Sequence, residues 1–223
     1  MVDSYLYKYS FGTTMTASLN TIITAIQTTI HDHAEEVAEL DRAIGDGDHV
    51  INLQRGLDAL ASIGDELDSL DWSAALMKIG MTLMSTMGGA SGSLFGTLFI
   101  SMAKAAKNQE LNSSSFAEIF QQGVESVKQR GKADIGEKTM LDTLIPVSNS
   151  LQNDVNKAVS LNTMLDNAAN SAIAGMESTR DLIATKGRAS FLGERAIGHI
   201  DAGARTSQLI ICTIADIVKV KAG

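Results

Sequence analysis

The sequence points to an all-α fold, a barrel or bundle of eight antiparallel amphipathic helices, and three observations carry that reading. Apolar residues recur at spacings of three and four along the chain, while strand-like alternation is convincing nowhere. Pro146 is the only proline, which suits long helices and argues against a loop-rich β-sandwich. Four short stretches, 41–50, 87–93, 130–139 and 187–203, concentrate Gly, Asp and basic residues between the periodic segments. At 223 residues the chain is long enough to bury a continuous core as one domain.

Taken in order, the patterns predict helices over 15–40, 51–64, 72–87, 91–107, 115–130, 139–154, 160–186 and 203–220. Trp72, Leu76, Ile79, Leu83 and Met87 form one apolar stripe, and Phe116, Ile119, Phe120, Val124 and Val127 another. Leu161, Leu165, Ala168, Ala172 and Met176 form a third. Ser114 or Ser115 with Glu118 reads as a capping box, and Gly131 and Gly187 follow basic residues where helices should stop. No internal repeat or linker interrupts the series, so a single domain over 1–223 is expected, with 1–12 as a flexible N-terminal extension. The four stretches between helices are expected to meet at one end of the bundle.

Composition removes several function classes. The formal net charge is −8 and no Lys/Arg cluster stands out, which argues against nucleic acid as a partner. A single cysteine, Cys212, excludes an internal disulfide framework and a cysteine zinc site. Ile79 to Ala103 is uncharged and long enough to suggest a membrane span, but the glycines around 88–92 break it. Met1 to Thr14 has no apolar run behind a basic start, so it does not read as a signal peptide, and a cytoplasmic protein without membrane contact is expected.

The strongest chemical signal is Asp41-Arg42-Ala43-Ile44-Gly45-Asp46-Gly47-Asp48-His49. Three carboxylates within eight residues, with glycines that let the backbone fold tightly, can point several oxygens at a hard cation such as Mg²⁺. The acidic ladder of an EF-hand is missing. The plainer alternative is a solvated Asp-Gly turn in which Asp48 caps the helix from Val50. Met87 to Ser93 precedes a helical run, where bare backbone N–H groups and the hydroxyl of Ser91 suit an anion, and close helix packing is an equally good alternative. Arg188 and Arg195 lie in a glycine-punctuated stretch as candidates for phosphate pairing or for ordinary surface ion pairs. Gly136-Glu137-Lys138-Thr139-Met140 is uninformative alone. His31 and His33 are expected on the surface, Cys212 as a core thiol, and the ten methionines as core filling.

Together the segments LDRAIGDGDHVINLQRG, MGGASGSLFGTLF, QRGKADIGEKTML and GRASFLGERAIGHIDAGA resemble the L subunits of bacterial dihydroxyacetone kinases, in the same order and over roughly residues 40 to 205. The resemblance implies a barrel of eight helices with ADP or ATP and two Mg²⁺ at one end. It implies Asp41, Asp46 and Asp48 as magnesium ligands, and the run His49, Val50, Ile51 and Asn52 against the nucleotide. Ala90 and Ser91 are then implied at the phosphates. Gly131, Met140, Arg188 and the Asp201, Ala202, Gly203 turn are implied around the nucleoside and phosphates. It further implies a K-type subunit that holds dihydroxyacetone covalently, a phosphohistidine M-type subunit that rephosphorylates the bound nucleotide, a homodimer, and in some members coupling to a transcription regulator. Phosphoryl transfer asks mainly for positioning and charge neutralisation, so the lack of a protein nucleophile fits.

Three positions depart from the pattern. Val50 stands where relatives carry Gly, and its β-branched side chain is expected to narrow the loop near the phosphates. Ser93 and Ala202 stand where relatives carry Pro, and Ala202 is expected to loosen its turn. Two other readings therefore stay open: a subunit exchanging ATP directly for another triose or tetrose, and a nucleotide-binding module that docks a transcription factor.

Overall fold

The computed structural model describes residues 17–219, so the expected extension at 1–12 lies outside the described residues. Ten α-helices follow one another: α1 (Leu19–Asp32), α2 (Ala34–Ile44), α3 (His49–Ala61), α4 (Gly64–Ser69), α5 (Trp72–Thr86), α6 (Gly89–Ala106), α7 (Ser113–Gly131), α8 (Leu141–Asn156), α9 (Leu161–Ser178) and α10 (Ala202–Val218). Short 3-10 segments at Thr179–Asp181 and Arg188–Ala196 interrupt the last connection. No strand occurs among the described residues.

Eight of these helices close a ring in which each packs on the next: α1, α3, α5, α6, α7, α8, α9, α10 and back to α1. Neighbours in the ring run in opposite directions, with α1 joined to α3 through α2, so every second connection falls at the same end of the ring, where contacts such as His49–Ser91, Arg130–Ser93, Lys138–His199 and Arg188–Asp46 link them. Those connections are 45–48, 87–88, 132–140 and 179–201, which are the Gly- and Asp-rich stretches noted in the sequence. Most of the interior is one continuous apolar core running from Ile23 on α1 to Leu209 on α10, with two small clusters around Ile44 and Met176 beside it. Burial of aliphatic side chains at roughly 25 cal/mol per Å² drives the closure.

The local signals explain most boundaries. Ser18, Asp71, Ser160 and Asp201 each accept a hydrogen bond from the backbone N–H three residues on, starting α1, α5, α9 and α10. The capping box of α7 is built one turn earlier than expected, from Asn112 and Ser115, because Asn112 accepts from the Ser115 N–H while Ser115 Oγ accepts from Asn112 N–H. Pro146 lies inside α8 and cannot donate to the Asp142 carbonyl. That carbonyl faces Gly175 of α9, where a side chain would come within 2.1 Å of it, so the two helices pack closely at this point.

Five expectations need correction. The helix expected over 15–40 breaks at His33, whose backbone leaves the helical region, and α2 turns off to carry Asp41 toward the site end. The break is invisible in the periodicity because Ile30 and Val37, both buried, are two helical turns apart and keep the stripe continuous. A short helix, α4, occupies part of the expected gap between 64 and 72 and buries Leu67. The helix expected over 160–186 stops at Ser178, where buried Thr179 turns the chain back. Met81 and Met84 are largely exposed, so the methionines are not all core filling, and Cys212 is half-buried and accepts a hydrogen bond from Gln208 Nε2 at 3.2 Å.

The membrane expectation meets the same geometry. The apolar run 79–103 is cut by the α5–α6 connection, and no described helix is long and apolar enough to cross a membrane.

Candidate functional site

The turn from α2 to α3 is shaped by one close approach. Gly45 sits against the Asp41 side chain, and a Cβ at that position would fall 2.1 Å from Asp41 Oδ1. The folded-back Asp41 carboxylate accepts the His49 N–H through Oδ2 at 3.0 Å. Asp41 thus supplies the capping bond at the start of α3, and Asp48, which only the plainer turn reading put in that role, makes no side-chain cap bond. Asp46 and Asp48 remain exposed, and Asp41, Asp46 and Asp48 each bring a carboxylate oxygen within 4.8 Å of the others. Like charges that close repel unless a cation lies among them. Oxygen-only donors of this kind match the preference of Mg²⁺, so the residues fit such an ion. Arg188 reaches over from the last connection and places Nε 2.5 Å from Asp46 Oδ2.

His49 faces the other way, into the protein. Its Nδ1 lies 3.0 Å from Ser91 Oγ at the start of α6, and its Nε2 lies 2.9 Å from Thr206 Oγ1 in α10. Thr206 Oγ1 also donates to the Gly203 carbonyl at 3.2 Å, so it accepts from His49 Nε2–H and leaves Nδ1 to accept from Ser91. Burial lowers the imidazole's affinity for a second proton, against the opposing pull of Asp41 and Asp48, which suits this neutral form. The Ser91 hydroxyl is therefore engaged with His49, and the free donors at this helix start are backbone N–H groups.

Of the run 49–52, only His49 and Asn52 turn toward neighbouring connections. Asn52 is buried against Gly88, where a Cβ would lie 2.6 Å from Asn52 Oδ1, and that oxygen accepts from Arg55 Nη1 at 3.3 Å. Ile51 is exposed, and Val50 packs in the core at helical backbone angles. The expectation that Val50 narrows the phosphate loop is overturned, because its side chain points inward and the position requires no positive φ. The Ser93 hydroxyl accepts from Arg130 Nε at 3.0 Å, tying α6 to the end of α7. Ala202 is the first residue of α10, directly after the N-cap Asp201, whose side chain accepts the Ala204 N–H at 2.7 Å and holds the turn.

The remaining candidates complete the same end of the ring. Ala90 is exposed in the first turn of α6, and Gly131 closes α7 beside it, near Leu94. Met140 is buried just before α8, and Gly203 lies against it: a Cβ there would sit 3.5 Å from Met140 Cβ. Asp201 is the N-cap of α10, and burial pushes its carboxyl up to about 7, with Asp142 and Asp41 adding to the rise and the Ala204 N–H and Lys138 opposing it. Sequence reasoning missed Thr206, Thr179 and Lys138. The first two sit in runs without local signal, and Lys138 belongs to a turn that is uninformative until its partners are seen.

Comparisons with known proteins show the family and the fold. The DAK2 domain model matches residues 43–216. A Listeria innocua protein, "PEP-dependent dihydroxyacetone kinase 1, ADP-binding subunit DhaL", is 40% identical over 181 residues, covering 81% of this chain and 86% of that one. The Escherichia coli "PEP-dependent dihydroxyacetone kinase, ADP-binding subunit DhaL" is 40% identical over 183 residues, covering 82% of this chain and 87% of that one. A solved dihydroxyacetone kinase of C. freundii superposes with a TM-score of 0.70 at 24% identity, over 89% of this chain and 34% of that longer one, which supports the fold. The chain belongs to the DAK2 domain family, among the ADP-binding subunits of dihydroxyacetone kinases.

Proposed function

We propose that this subunit holds ADP or ATP with two Mg²⁺ at the 45–48 end of the ring and serves as the phosphoryl-donating half of a dihydroxyacetone kinase. The observation that carries the reading is the cluster of Asp41, Asp46 and Asp48, three carboxylates with oxygens within 4.8 Å of one another beside the start of α6. The dihydroxyacetone kinase from C. freundii solved in complex with AMP-PNP and Mg²⁺ shares this fold at a TM-score of 0.69, which supports the cofactor choice.

Each part of the chain has a distinct task in this reading. Asp41, Asp46 and Asp48 would hold the metal, and when bound it would neutralise phosphate charge as phosphoryl transfer proceeds. The N-terminus of α6, at Ala90 and Ser91, offers N–H groups and a favourable dipole to the phosphates. His49 stays neutral and clamps α6 to α10 from within. Arg188, mostly exposed and already drawn to the acidic turn, supplies a mobile positive charge for a phosphate. Met140 and the Asp201–Gly203 turn form the nucleoside side. No side chain here needs to attack the phosphoryl group, since the acceptor's own hydroxyl does so. The acceptor is dihydroxyacetone, or a related short ketose, presented by a separate K-type subunit, and a phosphohistidine M-type subunit regenerates ATP. A homodimer, coupling to a transcription regulator and a cytoplasmic setting belong to the same reading.

Denaturing the purified protein tests it: adenine nucleotide should be released, and the Asp46→Asn protein should carry none. A folded preparation that binds no ADP when Mg²⁺ and ADP are supplied overturns the proposal. Fast exchange with labelled ATP, with turnover lacking any phosphohistidine donor, would instead favour a directly ATP-fed kinase. The relatives named triokinase/FMN cyclase, one from rat at 29% identity over 95% of this chain, make that the second reading to test.

A further inference from the structure

Lys138 is the largest fully buried side chain among the described residues, at 1% exposure. Its Nζ donates to two peptide carbonyls, those of Thr179 and His199. Carboxylates act on it only through space, Asp201 and Asp142 foremost, and burial lowers its hold on the proton. Its backbone is also unusual, with φ at +61°, a conformation that glycine adopts freely and that lysine adopts at a cost. A glycine here would relieve the backbone and avoid burying an ammonium. Two unfavourable features retained at one residue mark a position whose side chain has a task.

The bonds of Lys138 show what that task is. Residues 136–140 form a tight turn around Asp142, whose carboxylate accepts the Gly136 N–H at 2.5 Å and the Thr139 N–H at 2.8 Å. From this turn Lys138 reaches the end of α9 at Thr179 and the strand of chain leading into α10 at His199. Thr179 Oγ1 in turn accepts the Asp201 N–H at 3.0 Å. Two residues beyond Lys138 lies Met140, and two beyond His199 begins the Asp201–Gly203 turn, which meets Met140 face to face through Gly203.

We infer that Lys138 is a positioning residue: its ammonium, joined to the carbonyls of Thr179 and His199, sets the gap between Met140 and the Asp201–Gly203 turn where the nucleoside is held. The inference rests on the nucleotide reading above. Lys138 touches neither the acidic triad nor the start of α6, so its influence falls on the nucleoside side and leaves the metal side alone.

The Lys138→Met and Lys138→Ala proteins test this through two separate readouts. Titration of ADP with Mg²⁺ should show affinity at least tenfold weaker than in the parent protein. Titration of Mn²⁺ alone, followed by its paramagnetic resonance signal, should agree with the parent within twofold. Propylammonium added to Lys138→Ala should recover part of the ADP affinity. If the lysine variants do not fold, Thr179→Val frees the Asp201 N–H without disturbing any charge, and it should weaken ADP in the same direction with Mn²⁺ binding unchanged. Parental ADP affinity in a folded Lys138→Met protein, or in Thr179→Val if that variant alone folds, overturns the inference and leaves the nucleotide reading standing. Equal losses of Mn²⁺ and ADP affinity also overturn it, because they indicate general loosening. A parent protein that binds no ADP removes both readings together.

Discussion

The imidazole Nε2 of His49 lies 2.9 Å from the hydroxyl of Thr206, a residue 157 positions further along the chain. With Ser91 on its other nitrogen, His49 links the starts of three helices, α3, α6 and α10. Each of those starts carries candidate site residues, so one neutral ring holds the acidic turn, the phosphate-facing helix start and the nucleoside turn in register.

Thr206→Val keeps the shape of this contact and removes the hydroxyl. The buried Nε2–H then has no acceptor, and stability should fall by about 1–3 kcal/mol. Urea denaturation of the metal-free protein checks the value. A loss below about 0.3 kcal/mol would mean the ring has found another partner, and the assigned tautomer would be wrong.

Gly45→Ala addresses the acidic turn. The added methyl competes with Asp41 Oδ1 for one position, so the carboxylate must swing out and release the His49 N–H. Mn²⁺ affinity should fall at least tenfold while helical circular dichroism stays at the parental level, because the turn lies outside the core. Unchanged Mn²⁺ binding would remove Asp41 from the ligand set.

Arg188 and Asp46 form an ion pair whose arginine is 72% exposed. Pairs this open contribute little to stability, so Arg188→Ala should shift unfolding by less than about 0.5 kcal/mol. The same change withdraws a cation that competes for Asp46. Mn²⁺ should therefore bind about two- to tenfold more tightly in the absence of nucleotide, and ADP more weakly in its presence. Weaker Mn²⁺ binding in calorimetry would contradict this arrangement.

Asp201 makes stability depend on pH in a defined direction. Its carboxyl is raised from 3.8 to about 7 in the folded protein, chiefly by burial. Between those values the folded state holds the proton and the unfolded state releases it, so this group's contribution declines as pH rises from about 4 to 7. Asp201→Asn keeps an oxygen for the Ala204 N–H and cannot ionise. Its stabilising effect on the ligand-free protein should be larger at pH 8 than at pH 5 by about 2 kcal/mol, read from urea titrations at both pH values. Equal effects at the two pH values would show that Asp201 is ionised throughout.

The helices, the all-α class and the acidic turn were legible in the chain because each depends on neighbours in sequence. The spacing of Trp72, Leu76, Ile79 and Leu83 decides which face of α5 is buried, and Asp71 decides where that helix starts. Gly45 and Asp41 interact across four residues, so their pattern marks the turn they build. The meeting of the four connections at one end follows the alternation of eight helices around the ring, although two of those connections are long and carry α2 and the 3-10 segments.

What the sequence left open was settled by contacts between distant segments. His49 bonds to Ser91 and Thr206 across 42 and 157 residues, and Lys138 reaches Thr179 and His199 across 41 and 61. Nothing in the immediate surroundings of Thr206 or Lys138 announces such a partner. Val50 shows the limit most directly: in sequence it stands beside His49 in the loop motif, yet in the structure it turns into the apolar core while His49 bonds to Ser91 and Thr206. A helix of 3.6 residues per turn sends adjacent side chains about 100° apart, and only the packing of the ring around them determines which of two neighbours joins α6 to α10 and which fills the apolar core.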